Sequence, residues 1–304
     1  MKRLDPFVHL HSHTEYSLFD GISRIGELVS HVKEMGQTAL AITDHGVMYG
    51  AIYLYKECIK QGIKPIIGCE IYVTRGSRFD KSGNGKEKLA HLILLAENNE
   101  GYQNLIKICS KAWTEGYYHR PRADHELLEK YHEGLIVTSA CVGGEVPQAI
   151  LNGDMDEARK VIEFYINTFG KDNYFLEIQN HGLPEEAAVR PVLASLAKEY
   201  GLGLVATNDF HYTKKEDARS QEIKLCISTG KTLDDPYHFH FANDEFYCKS
   251  GDEMRAILGN FPGAIENTRV IADRCNVELT FGEHKLPSFA VPEGEPAASY
   301  LRKL

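Results

Sequence analysis

The chain of 304 residues predicts an α/β fold with a largely parallel sheet, and three features predict it. Seven short apolar runs recur along the chain, and helix-period segments separate most of them. Glycines stand just before several of the runs, at Gly36, Gly62, Gly134, Gly170 and Gly201, where a left-handed residue ends a helix. Strand, helix and strand in succession build βα units, which close into a barrel or stay open as a doubly wound sheet. The residues alone leave both arrangements open.

The first strand is read at "FVHLHS" (7–12), where His9, His11 and His13 stand at alternate positions and so share one face of an extended chain. A helix follows over 25–35, with Ile25, Leu28, Val29, Val32 and Met35 at helical spacing. Further strands are "ALAIT" (39–43), "PIIGCEIYV" (65–73), "HLILLA" (91–96), "LIVTSA" (135–140), "YFLEIQ" (174–179) and "GLVAT" (203–207). The clearest helix is 189–200, carrying Val189, Val192, Leu193, Leu196, Ala197 and Tyr200 on one stripe. Residues 74–88, "TRGSRFDKSGNGKEK", lack helix periodicity, so the strands on either side are expected to pair as a hairpin. After Gly230 the alternation stops. "GDEMRAIL" and "PGAIENTRVIADRCN" read as helices, and "EGEPAASYLRKL" reads as a linker entering a helix cut off after one turn. The expected organisation is one domain over 1–285 and a linker over 286–304, the start of a longer chain.

Composition narrows the function. A net charge of −9 argues against tight, non-specific binding of duplex nucleic acid, which needs many basic contacts to phosphates; action on a nucleic-acid end remains open. No run approaches the ~18 apolar residues of a membrane span, and "MKRLDPFVHL" has no signal-peptide core. Seven scattered cysteines, an odd number without a CxxC pair, read as reduced thiols in the cytoplasm.

The chemistry lies at strand ends, where α/β folds build their sites. The first strand delivers His11 and His13, with Asp20 in the loop after it. The second ends in "TDHG", with Asp44 and His45, and the third carries Glu70. The fifth ends at Cys141, the sixth at His181, and the seventh at Asp209 and His211. His91 opens its strand, but a hairpin over 74–88 would return it to the same rim. Imidazoles, carboxylates and one thiolate suit Zn²⁺, Mn²⁺ or Fe²⁺ rather than Ca²⁺ or Mg²⁺. Nine such groups are too many for one tetrahedral ion, so two or three ions are expected, with Glu70 or Asp209 bridging. A cluster of this kind lowers the pKa of a shared water and clamps phosphate oxygens. Phosphoester hydrolysis by a metal-bound hydroxide follows, without a side-chain nucleophile.

"HLHSHT", "TDHG", "GCE", the isolated His of "LAHLILLA", "SAC" and "NDFH", in this order, resemble the successive motifs of the PHP (polymerase and histidinol phosphatase) family. "HTEYSLFDG", "AITDHGVMYGA", "KPIIGCEIYV", "GYQNLIKICSKA", "EIQNHGLPEE", "ATNDFHY" and "ENTRVIADRCNVEL" resemble the branch found at the N-terminus of bacterial replicative DNA polymerase III alpha subunits. The resemblance implies a distorted seven-stranded (β/α)7 TIM-like barrel with its metal site at the C-terminal ends of the strands. It implies ligands at His11, His13, Asp20, His45, Glu70, His91, Cys141, Asp209 and His211, with Asp209 and His211 serving catalysis. It also implies metal-dependent 3′→5′ exonuclease proofreading, in a DNA-directed DNA polymerase whose polymerase site lies beyond residue 304. The implied partners are a DNA 3′ end, the rest of the polymerase chain and, through it, a sliding clamp and a separate exonuclease subunit. A metal platform serving stability and docking, or a free-standing histidinol-phosphatase-like enzyme, are the alternatives.

His9 is expected to hydrogen-bond a ligand, Asp44 to act behind the ligands or in the loop, and His181 either to cap its loop or to contact a phosphate. His31, His119, His125, His132, His238, His240 and His284 read as packed or surface residues. Arg75, Arg78, Lys81, Lys86 and Lys88 read as a solvated basic loop, or else as one that steers a DNA end or packs on a polymerase core.

Overall fold

The computed structural model describes residues 5–82, 89–283 and 289–304; His284, Lys86 and Lys88 lie outside them. From the start of the chain come α1 (Ile25–Glu34), β1 (Ala39–Ile42), α2 (Ala51–Gln61), β2 (Lys64–Val73), β3 (Ala90–Ala96) and α3 (Asn99–Thr114). A two-residue strand, β4 (Arg122–Ala123), precedes α4 (His125–Lys130), β5 (Leu135–Thr138), α5 (Glu145–Leu151), α6 (Met155–Phe169), β6 (Tyr174–Ile178), α7 (Pro184–Tyr200) and β7 (Gly203–Ala206). The helices α8 (Ala218–Thr229), α9 (Gly251–Leu258), α10 (Glu266–Arg274) and α11 (Ala297–Lys303) follow.

One curled mixed sheet runs β1-β2-β3-β5-β6-β7, with β4 on β2. The chain does reverse after β2: β2 and β3 pair antiparallel, with Tyr72 opposite His91 and Val73 opposite Ala90. The sheet is a half-barrel, and its ladders do not close on themselves among the described residues. Between β1 and β7, the described residues of the N-terminal segment make only isolated bridges, among them His9 with Leu40 and Ser12 with Phe210.

The expected regular strand over 7–12 is therefore corrected, and its hydrogen bonds explain why. Side-chain oxygens take backbone donors that a ladder would use: Val8 N–H donates to Thr268 Oγ1 at 3.2 Å and Ser12 N–H to Thr43 Oγ1 at 2.8 Å. The chain bends at His11.

The two-residue period sorts each strand into two faces. Inside the curl, Ala39, Ala41, Ile66, Ile93, Leu95, Ile136, Phe175 and Val205 pack with Val8, Leu10 and, from α10 and its end, Ile271, Ala272 and Cys275. Outside, Leu40 and Ile42 meet Leu28, Val29 and Val32 of α1 and Leu54 of α2. Each such aliphatic side chain contributes about 1.5–3 kcal/mol on burial.

Followed toward one rim, the inner face changes character without changing parity. Ile66 leads to Glu70, Phe175 to Glu177, Val205 to Asp209, and along antiparallel β3 Leu95 and Ile93 lead to His91. An apolar floor thus passes into a ring of titratable groups.

Candidate metal centre

Glu70 is the hub. It is 1% exposed, and its carboxylate lies 2.8 Å from His91 Nδ1, 3.6 Å from His11 Nε2 and 3.5 Å from His13 Nε2. His45 Nδ1 meets it on the same side, and Cys141 Sγ lies 4.0 Å away. Asp209 forms a second focus, with Oδ1 3.1 Å from His11 Nε2 and 2.9 Å from His13 Nε2. Asp20 Oδ2 closes the outer side, 3.3 Å from His45 Nε2 and 3.7 Å from His211 Nε2. The ring of His13 stacks between His45 and His211, with centroids 3.9 and 4.4 Å away. All nine residues expected to ligate metal come together.

Several of their ligand atoms meet without hydrogen bonding. His11 Nε2, His13 Nε2, Asp20 Oδ1, His45 Nδ1, Glu70 Oε2 and Asp209 Oδ1 are buried without a hydrogen-bond partner, a costly arrangement in a dry interior. Lone pairs aimed at common points, rather than along N–H bonds, are what cations require. Three overlapping sets, His13–His45–His211, His11–His13–Glu70 and Glu70–His91–Cys141, each bring their ligand atoms within 4.8 Å of one another. The donor set of nitrogens, carboxylate oxygens and a thiol fits a borderline transition metal.

Electrostatics follow the same geometry. Burial, with His45 and His211 adding to it, pulls His13 down to about 3. Burial also works against a charge on His11, but the Asp209 and Glu177 carboxylates overcome it and hold His11 well above the usual imidazole range. His45 is raised in the same way, against its burial, by Asp20 and Glu70. Burial would push Glu70 and Asp209 up, yet facing imidazoles hold both well below the carboxylate range.

Local backbone positions the groups. Asp209 and Ala140, which precedes Cys141, both hold left-handed φ values, +41° and +59°, each costing on the order of 1–2 kcal/mol. Gly144 lets the Cys141 loop close on itself, since a Cβ there would stand 2.0 Å from the Ser139 carbonyl oxygen; next to it, the Gly143 carbonyl accepts from His91 N–H at 3.0 Å. Gly144→Ala is expected to cost about 2 kcal/mol or more, and a lowered melting temperature would register it.

The PHP domain family model matches residues 9–181, more than half of the chain. The chain belongs to the PHP domain family. The match stops before Asp209 and His211, but longer similarities include them. The DNA polymerase III subunit alpha of Thermus aquaticus is 47% identical over 310 residues, covering 98% of this chain and 25% of that relative. The subunit of Treponema pallidum is 47% identical over 300 residues, with 98% and 26% covered, and that of Mycobacterium tuberculosis 40% identical over 315, with 97% and 26% covered. This PHP domain thus spans about a quarter of the length of the curated relatives it matches.

Behind the candidate ligands of this PHP domain stand groups that fix ring orientation. Asp44 accepts from Thr14 N–H at 2.7 Å and Ser17 Oγ–H at 2.7 Å, and Ser17 Oγ lies 3.0 Å from His13 Nδ1. His11 Nδ1 donates to Glu177 Oε1 at 2.7 Å. Glu177 was not expected: it also accepts from Gln179 Nε2 at 2.9 Å and from the Thr138 and Thr207 hydroxyls. The available signal was an acid in the middle of the apolar run "YFLEIQ".

Two expectations change, for His9 and Arg78, and the alternative left open for His181 narrows. His9 reaches no ligand: its Nε2 donates to the Lys249 carbonyl at 2.7 Å and its ring edges onto Phe7 and Phe210. The bend at His11 turns His11 and His13 inward and leaves His9 on the other side. His181 caps its loop, with Nδ1 2.5 Å from Glu186 Oε1 and Nε2 donating to the Asn208 carbonyl at 2.6 Å; no ring nitrogen is left for a phosphate. Arg78 is buried against Glu115 at 2.8 Å and Asp124 at 2.9 Å, so it steers nothing.

Proposed function

We propose that this PHP domain holds two or three divalent transition-metal ions, zinc, manganese or iron, and hydrolyses phosphoesters. We take its substrate to be the 3′ end of a DNA strand, removed in the 3′→5′ direction as proofreading within a replicative DNA polymerase III alpha subunit. The observation that carries the reading is the convergence of three buried, unpartnered imidazole nitrogens, His11 Nε2, His13 Nε2 and His45 Nδ1, on the equally buried carboxylates of Glu70 and Asp209. His11, His13, Asp20, His45, Glu70, His91, Cys141, Asp209 and His211 would hold the ions. Bound ions of this kind acidify water and neutralise charge building on phosphate oxygens.

The chain's own residues bind and orient. Glu177 keeps the His11 proton on Nδ1, so that Nε2 faces Glu70 and Asp209. Asp44 sets His13 through Ser17. A cleft of about 570 Å³ borders Asp20, His45 and His91, large enough for a nucleotide. No side-chain nucleophile is assigned, and Asp209 and His211 serve the reaction as ligands.

The near-complete burial of His11, His13 and Glu70 favours a second role for the same ions, in stability. The centre then also firms a platform against which the polymerase chain, a separate exonuclease and a clamp-bound assembly can sit. We read residues 1–285 as the unit, closed by residues 7–14 into a distorted (β/α)7 barrel, and 286–304 as the lead into the remaining chain, in the cytoplasm. No helix among the described residues is long and apolar enough to cross a membrane. Similarity to polymerase subunits over nearly the whole chain weighs against a free-standing histidinol-phosphatase-like enzyme.

The test is to measure bound metal and the release of nucleotides from a labelled 3′ end, with and without Mn²⁺ or Zn²⁺. Metal-dependent release that His11→Ala and Asp209→Ala abolish is expected. Hydrolysis that survives both substitutions, or a chain that takes up no metal, overturns the reading.

A further inference from the structure

The cleft beside the metal centre does not end there. A second cleft, of about 210 Å³, adjoins it, and the two share Phe19, Tyr72 and Arg120 in their walls. The Arg120 guanidinium lies 5.5 Å from the Phe19 ring centroid and 5.8 Å from that of Tyr72. Among the described residues it is paired with no carboxylate, although it is exposed. Its neighbours differ: Arg78 is held by Glu115 and Asp124, and Arg122 donates to the Gly116, Arg78 and Asp80 carbonyls. Arg120 alone of these three is left for an outside anion.

The floor of the second cleft is a built aromatic shelf. Trp113 and Tyr117 stack with centroids 5.3 Å apart and planes 11° from parallel, yet they stay 41% and 47% exposed. The shelf is tied to the metal centre, because Trp113 Nε1–H donates to the carbonyl of Gly46 at 2.8 Å, the residue after His45. Between shelf and arginine, His119 holds a left-handed φ of +61°, a costly conformation for a residue with a Cβ.

A ligand that suits these features carries an anion for Arg120, flat faces for the shelf and a phosphoester for the metal centre. We infer that the two clefts form one groove for a single-stranded nucleic-acid end, in which Arg120 grips a backbone phosphate and the Trp113–Tyr117 shelf stacks a base next to the terminal nucleotide. The inference rests on the reading of the cluster as a phosphoesterase centre. Aromatic stacking is the sequence-tolerant way to hold a single strand, and it needs few phosphate contacts. A chain with a net charge of −9 can therefore use it where it could not grip a duplex. A paired end keeps its bases stacked on each other and offers the shelf no face.

Trp113 is the single tryptophan, so its emission reports the shelf directly. The chain, with chelator present to prevent hydrolysis, is titrated with oligo(dT) and with a blunt duplex of equal length. Saturable quenching by the single strand and little by the duplex is expected. Arg120→Ala and Tyr117→Leu, both at exposed positions, should each weaken that binding roughly tenfold or more. Absence of saturable quenching, equal quenching by duplex, or unchanged affinity in both variants overturns the groove and leaves the shelf to a protein neighbour. Mn²⁺-dependent hydrolysis of bis(p-nitrophenyl) phosphate by the unsubstituted chain is measured in parallel. Hydrolysis without quenching sinks the groove alone, whereas quenching without hydrolysis sinks the phosphoesterase reading and keeps a single-strand site.

Discussion

Glu70→Gln is expected to strip the chain of most of its bound metal and to lower hydrolysis by more than the roughly 10–100-fold that losing an outer partner of a ligand costs. Five of the other eight proposed ligands, His11, His13, His45, His91 and Cys141, face this one carboxylate. An amide keeps the shape but brings an N–H₂ to a point where ligand atoms converge, and it removes the negative charge that offsets the ions. Stability should follow. Metal bound to the folded chain at a hundred times its Kd contributes about 2.7 kcal/mol, or a shift of several degrees for a chain of this size. A chelator should therefore lower the melting temperature of the unsubstituted chain and leave that of Glu70→Gln almost unmoved. Equal chelator sensitivity in the two would show that the metal sits elsewhere.

How far the centre is legible in the sequence depends on which rule each residue relies on. Glu70 and Asp209 are readable because strand parity holds in β2 and through β7: each continues the inward face that Ile66 and Val205 begin. His91 is readable because residues 74–88 lack a helix period, which forces the reversal seen in the Tyr72–His91 register. His9 is not. Parity groups it with His11 and His13 only if the strand is regular, and side chains such as Thr43 and Thr268 take the backbone donors that would keep it so. The same irregularity leaves only single bridges between the half-barrel and residues 9–12, which no hydrophobic period announces. Arg78 misleads for a related reason. A basic run looks solvated until the fold brings Glu115 and Asp124 to it from 37 and 46 residues away.

Glu177 is the strongest case of a residue whose role exists only in three dimensions, since its partner His11 is 166 residues distant. It also yields the sharpest prediction. Glu177→Gln keeps an oxygen that can accept from His11 Nδ1–H, so the ring stays in place, and the metal-free chain should still fold, at a lowered melting temperature because the charge that favoured a proton on His11 is gone. What it removes is the charge behind the ring. That charge stabilises a proton on His11, which is why His11 is raised despite its burial, and it stabilises a divalent ion on Nε2 more strongly, because the ion carries twice the charge. Metal affinity should therefore fall by roughly 10–100-fold, and the loss should depend on pH with a definite sign. At pH below the raised His11 value, metal must displace a proton from the unsubstituted chain, and the variant, holding that proton less tightly, recovers part of its loss. As pH rises and the competing proton leaves both chains, the full difference emerges. Competition against a chromophoric chelator across pH 6 to 9 measures it, alongside melting of the metal-free chains. A loss of affinity that stays the same at every pH would mean that Glu177 acts on His11 only as a packing partner. Equal affinity at every pH would remove it from the centre altogether.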